Sequence, residues 1–116
     1  MALVKMKDLL KRAEEKNIGC GAFSVGNMEM VKGAIRAAEE LNTPIILQIA
    51  EVRLKNSPLH LMGPMMVQAA KEAKVDVAVH LDHGLTFETV DKLWSLVLHP
   101  LCWMRPLFLL RKISPR

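Results

Sequence analysis

Val77-Ala78-Val79-His80-Leu81-Asp82-His83-Gly84 is a short β-branched strand that runs straight into an acid, an imidazole and a glycine. Successive side chains of a strand point to opposite faces. Ala78, His80 and Asp82 therefore share one face, and Val77, Val79 and Leu81 share the other. The polar face carries a carboxylate to the strand's C-terminal end, where α/β folds place their chemistry, and His83 follows in the loop. The pair reads as a general acid/base next to a metal ligand.

The strand is expected over Val75 to Leu81, and two more precede it. Ile45-Ile46-Leu47-Gln48-Ile49-Ala50 is a near-continuous apolar run, as a buried parallel strand should be, and Ala22-Phe23-Ser24-Val25 is a shorter strand. Between them Asn27 predicts a helix N-cap, with Glu29 in the positive first turn. Met28, Val31, Ala34, Ile35, Ala38 and Leu41 then recur with helical period until Asn42-Thr43-Pro44 stops them. Ser57-Pro58 predicts an N-cap followed by proline at the first helical position, with Gly63-Pro64 as a sign of a later start. That helix is expected to run to about Lys74 and to bury Leu61, Met65, Met66, Ala69 and Ala73. Thr86 predicts the cap of a helix to about Leu93, and residues 5–16 read as an amphipathic helix with Met6, Leu9, Leu10 and Ala13 on one side. The order helix, β, α, β, α, β, α implies right-handed crossovers and a parallel sheet. Its strand ends, near Ser24, Gln48–Ala50 and Asp82–His83, fall on one rim.

Composition bounds the rest. The 116 residues are 51% hydrophobic and 24% charged, a globular balance sized for one small domain. The net charge of +4 is spread among acids; only Arg105, Arg111, Lys112 and Arg116 are one-sided, without interleaved aromatics, which argues against nucleic acid as a partner. Cys20 and Cys102 form no CxxC, so neither a disulfide framework nor a zinc finger is expected. The N-terminus lacks a signal-peptide core, and no apolar run reaches the ~18 residues of a membrane span. A cytoplasmic protein away from membranes is the expectation.

Three pieces together carry a resemblance: Gly21-Ala22-Phe23-Ser24-Val25-Gly26-Asn27, Ala37-Ala38-Glu39-Glu40 ahead of Pro44-Ile45-Ile46-Leu47-Gln48, and His80-Leu81-Asp82-His83-Gly84. Over roughly residues 5–92 the chain resembles the class II, metal-dependent ketose-bisphosphate aldolases, the fructose- and tagatose-bisphosphate enzymes. The resemblance implies the N-terminal portion, about three βα units, of a TIM (β/α)₈ barrel. It implies reversible aldol cleavage of a ketose (bis)phosphate to dihydroxyacetone phosphate and an aldehyde, in carbohydrate metabolism such as glycolysis. It implies Zn²⁺ as a Lewis acid, a sugar-phosphate substrate, and homo-oligomers in the full-length family. Asp82 matches the family's acid/base on the aldehyde-side hydroxyl, His83 matches a zinc ligand, and Ser24 is placed to touch substrate.

The departures are as specific as the match. Ala50 stands where many relatives carry a serine. The family's other two zinc histidines, second acid and glycine-rich phosphate loops belong to later strands that this chain does not match, and a three-histidine zinc site needs all three ligands. The chain alone is therefore expected to be inactive. His80 reads as a packed interior histidine rather than a ligand, His60 as solvated, and His99 as no ligand. Met62, Met65 and Met66 read as core packing, and Cys20 as a small buried residue and not a nucleophile.

After Lys92 the character changes. Both tryptophans, Pro100 and Pro106 fall here, and no acidic residue follows. With permitted codons, the stretch from Lys92 can be written so that a frame starting at the last base of its codon reads ALELGFTSVMLDA: a helix end, a glycine turn and a β-rich strand. The expected organisation is an aldolase-like barrel portion over 1–92 and a frameshifted tail over 93–116. The alternative is a small non-catalytic α/β module that binds a phosphosugar or a protein partner. Protease resistance of residues 93–116 favours that module, and rapid trimming favours the frameshift.

Overall fold

The computed structural model describes residues 3–93. Helix α1 (Met6–Glu15) is followed by β1 (Gly21–Ser24), α2 (Met28–Glu40), β2 (Ile45–Ala50), a 3₁₀ turn (Glu51–Lys55), α3 (Leu59–Glu72), β3 (Val77–Asp82) and α4 (Phe87–Leu93). The strands form one parallel sheet in the order β1-β2-β3. Ser24, Gln48 and His80 lie in one row across it, and Ala50 faces Asp82 in the next. The expected α/β order and parallel pairing both hold. The expected tail, apart from Leu93, lies outside the described residues.

Each face of the sheet has its own cover. Ile45, Leu47, Ile49, Val77 and Leu81 pack against Val31, Ile35 and Ala38 of α2 and Met66, Val67 and Ala70 of α3. On the opposite face Ile46 and Ala78 pack under Leu9 of α1, with Val4, Met6 and Cys20 around them. The Val4 N–H donates to the Val77 carbonyl at 3.0 Å, which ties the start of α1 to β3. Helix α1 thus closes the N-terminal half of that face and leaves the row from Ser24 to His80, and Asp82 above it, at the rim.

Local sequence explains the helix ends. The Asn27 side chain accepts from the Met30 N–H at 2.9 Å, the predicted N-cap bond. Asn17 and Asn42, with φ of 52° and 47°, end α1 and α2. Past each, Ile18 donates to the Ala13 carbonyl and Thr43 to that of Ala38, the bond pattern of a left-handed helix stop.

Helix α3 differs from its expectation. It starts at Leu59, runs through Pro64, and buries Leu59, Met62, Gly63, Met66, Val67 and Ala70. Of the expected set only Met66 is fully buried, while Leu61 is 63% exposed. Ser57 does not cap the helix: its hydroxyl donates to the Gly26 carbonyl, and Pro58 occupies the cap position without a side-chain bond. Met28, Leu41 and Leu10 also prove exposed. The first two sit at the ends of α2, where its apolar stripe runs past the buried patch. Leu10 lies beside the Leu9–Ala13 line that α1 buries.

Candidate active site at the strand ends

The pleat and the parallel register bring Ser24, Gln48, His80 and Asp82 to one face at the C-terminal ends of the strands. Gln48 is the connector, and the reading of the motifs missed it. Its Nε2 donates to Ser24 Oγ at 3.1 Å and to Asp82 Oδ2 at 3.5 Å. It sits on the central strand, so its amide reaches both neighbours. The signal lay in the alternation of Ile45–Ala50, which leaves Gln48 as the polar residue on the inward face. Ala50, beside Asp82, offers no hydroxyl to the rim.

Asp82 and His83 come together as expected. His83 Nε2 lies 3.6 Å from Asp82 Oδ2, with the His83 side chain 68% exposed and that of Asp82 29%. The imidazole is thus open to a ligand while the carboxylate is held in the rim. His83 has φ 67°, and the Gly84 N–H donates to the Asp82 carbonyl across it at 2.9 Å. This is the γ-turn of positive φ, the rarer and more strained hand. A non-glycine residue in such a conformation costs about 1–3 kcal/mol and persists where its surroundings over-determine it. Gly84, with φ 55°, continues the turn, and a side chain there would meet Val90 Cγ2 at 3.0 Å.

His80 is half-buried below Asp82. Burial pushes its pKa below the usual 6.5, His83 adds to the effect, and the Asp82 charge opposes it. The neutral ring is favoured in the folded state, so its stability contribution is complete above the unfolded value. It is lost as pH falls through about 6.5 toward the lower folded value. Urea titrations between pH 7.5 and 5 are expected to show this decline, and His80→Gln is expected to flatten it.

Glu51, the first residue after β2, also went unnoticed in the motifs. Its carboxylate accepts from the Leu85 N–H, the Thr86 N–H at 3.3 Å, Thr86 Oγ1 at 3.0 Å and Thr89 Oγ1 at 2.7 Å. Burial would raise its pKa, but the bonds from Thr89, Thr86 and Leu85 outweigh that and lower it. Thr86 is the predicted cap of α4: its Oγ1 accepts from the Thr89 N–H at 3.2 Å.

No group of three or more His, Cys, Asp or Glu that could hold a metal exists among the described residues. At the strand ends they place the exposed imidazole of His83 beside the Asp82 carboxylate. Cys20, expected to be buried, is half-buried; that burial raises the pKa of its thiol, whose Sγ lies 3.8 Å from the Pro44 carbonyl. A hollow of about 280 Å³ lies at the other end of the strands, among Arg12, Lys16, Asn42, Lys74 and Asp76. Arg12 and Asp76 pair there at 2.7 Å, and none of the rim residues lines it.

Comparison with known proteins gives the family of the chain. The profile described as fructose-bisphosphate aldolase class-II matches residues 4–99. A fructose-bisphosphate aldolase of Thermus caldophilus is 42% identical over 90 residues, covering 78% of this chain and 29% of its own length. A sulfofructosephosphate aldolase of Alkalicoccus urumqiensis is 37% identical over 83 residues, covering 72% and 29% respectively. Among solved structures, the YdjI aldolase of Escherichia coli K12 superposes with a TM-score of 0.76 at 32% identity, over 80% of this chain and 36% of that one. The chain thus spans about 29% of the length of the curated Thermus relative. Its three βα units correspond to part of an aldolase barrel. With the profile running over most of its length, the chain belongs to the class-II fructose-bisphosphate aldolase family.

Proposed function

We propose that the rim at Ser24, Gln48, Asp82 and His83 is the first part of a class II aldolase site. In this reading the site cleaves a ketose (bis)phosphate reversibly to dihydroxyacetone phosphate and an aldehyde. Asp82 takes the proton from the aldehyde-side hydroxyl as the adjacent carbon–carbon bond breaks. The bonding pair passes to the ketone-side carbon, which is then protonated by the second acid, carried on later strands, to give dihydroxyacetone phosphate; in the condensation direction that acid removes the carbon proton and Asp82 returns its proton to the new hydroxyl. Gln48 holds Asp82 through its amide, and Ser24 meets the substrate. His83 supplies one ligand of a Zn²⁺ site whose remaining ligands come from later strands. The chemistry a bound zinc supplies there is polarisation of the ketone oxygen. The observation that carries this reading is the rim itself: Gln48 ties Ser24 to the Asp82 carboxylate, and the open His83 imidazole lies 3.6 Å from that carboxylate.

We place this activity in the cytoplasm, and in an oligomer in the full-length enzymes; no helix among the described residues is long and apolar enough to cross a membrane. We read residues 93–116 as the product of a single-nucleotide frameshift. DNA whose shifted frame closes soon after codon 92 would overturn that.

The test is a chimera in which residues 4–93 replace the matching segment of the Thermus caldophilus enzyme. It is expected to cleave fructose 1,6-bisphosphate and to lose activity to a chelator. The 116-residue chain alone is expected to leave the sugar uncleaved, since one imidazole does not make a three-ligand site. A folded, zinc-loaded chimera without turnover sinks the reading.

A further inference from the structure

His83 stands in a conformation that its own chemistry does not favour, so something must hold it there. The chain between Asp82 and Thr86 is fixed at both ends. Asp82 is held by β3, opposite Ala50 of β2. Leu85 and Thr86 are held through their backbone N–H groups by the carboxylate of Glu51, the next residue after Ala50. Both anchors therefore come from consecutive residues at the end of one strand. Only His83 and Gly84 remain to span the gap, and they do so with φ of 67° and 55°. The Thr86 and Thr89 hydroxyls fill the other oxygen of Glu51, so the carboxylate cannot swing away without giving up four bonds. The stretch that follows Glu51 reaches the turn after β1, where the Ser57 hydroxyl donates to the Gly26 carbonyl.

We propose that Glu51 is a positioning residue: it fixes the Leu85–Thr86 backbone so that His83 is forced into its positive-φ turn beside Asp82. Its functional meaning rests on the aldolase reading of that pair. Glu51 touches neither His83 nor a reacting atom in this reading. It acts through the loop backbone, and its negative charge suits the two N–H and two hydroxyl donors it meets.

The test uses the full 116-residue chain, labelled for nuclear magnetic resonance, as wild type, Glu51→Ala and Glu51→Gln. In Glu51→Ala the Cα shifts and HN–Hα couplings of His83 and Gly84 are expected to lose their positive-φ signature. Amide exchange at Leu85 and Thr86 should accelerate at least about tenfold, while Leu47 and Leu81 keep their protection. Glu51→Gln retains one acceptor oxygen and should fall between. If Leu85 and Thr86 open while His83 keeps its positive φ, Glu51 is a helix cap and nothing more. If the sheet amides lose protection in step with the loop in both variants, Glu51 serves the whole fold. Either result overturns the proposal. None of these measurements involves turnover, so they stand or fall apart from the aldolase chemistry.

Discussion

Met66→Ala is expected to lower the unfolding free energy by about 3 kcal/mol, and Leu61→Ala by less than about 0.5 kcal/mol. Both residues lie in α3, and the apolar pattern of that helix marks both as core. The structure separates them: Met66 is 0% exposed within the main cluster, and Leu61 is 63% exposed. Truncating Met66 opens a hole between α3 and the sheet that its neighbours fill only partly, so lost burial and lost packing add. Truncating Leu61 removes methyl groups that already meet water. A domain of this size has about 5–15 kcal/mol of stability in all, and a three-stranded sheet whose β3 edge is met by Leu3 and Val4 at Val77 belongs at the low end. With an urea slope of about 1–2 kcal/mol/M, Met66→Ala should move the midpoint down by about 1.5–3 M. Equal losses at the two positions would mean that α3 begins after Gly63-Pro64 and presents its other face.

That helix shows where the sequence runs out as a guide. Leu59, Leu61, Met62, Met65, Met66 and Val67 offer two overlapping stripes at different angles round the helix, and periodicity alone does not choose between them. The choice is made by the start at Leu59, with Ser57 drawn away to the Gly26 carbonyl. That contact joins segments far apart in the chain, and no local pattern contains it. The strands were legible for the opposite reason, β2 best of all: it was expected over Ile45–Ala50 and runs over Ile45–Ala50, because its apolar run is bounded by Pro44 before and a polar stretch after. β1, expected over Ala22–Val25, runs over Gly21–Ser24, and β3, expected over Val75 to Leu81, runs over Val77–Asp82. The caps at Asn27 and Thr86 were legible because their partners lie three residues away.

The rim divides the same way. That His80 and Asp82 face one side follows from alternation within β3. That Gln48 joins Ser24 to Asp82 follows from register between strands, which no single strand's pattern encodes. The strained turn at His83 is a step further removed, since it depends on a carboxylate at position 51 reaching the loop from the neighbouring strand.

Asp82→Asn in the Thermus chimera is expected to cut kcat by about 10²–10⁴-fold, the range that a positioned proton acceptor contributes, with KM little changed. Asparagine has the shape of aspartate and still presents an oxygen to the Gln48 amide, which sits 3.5 Å from Oδ2. The Ser24–Gln48 bond at 3.1 Å does not involve Asp82 at all, so the rim should keep its form. The neutral amide, however, does not accept the hydroxyl proton as the carbon–carbon bond breaks. A fall in kcat and in kcat/KM by the same factor is the mark of an interaction made only in the transition state. A rise in KM alone would instead make Asp82 a substrate-binding residue and move the acid/base role elsewhere on the barrel. Thermal melts of the 116-residue chain provide the control: a shift equivalent to less than about 0.5 kcal/mol would show that the kinetic loss comes from the proton and not from the fold.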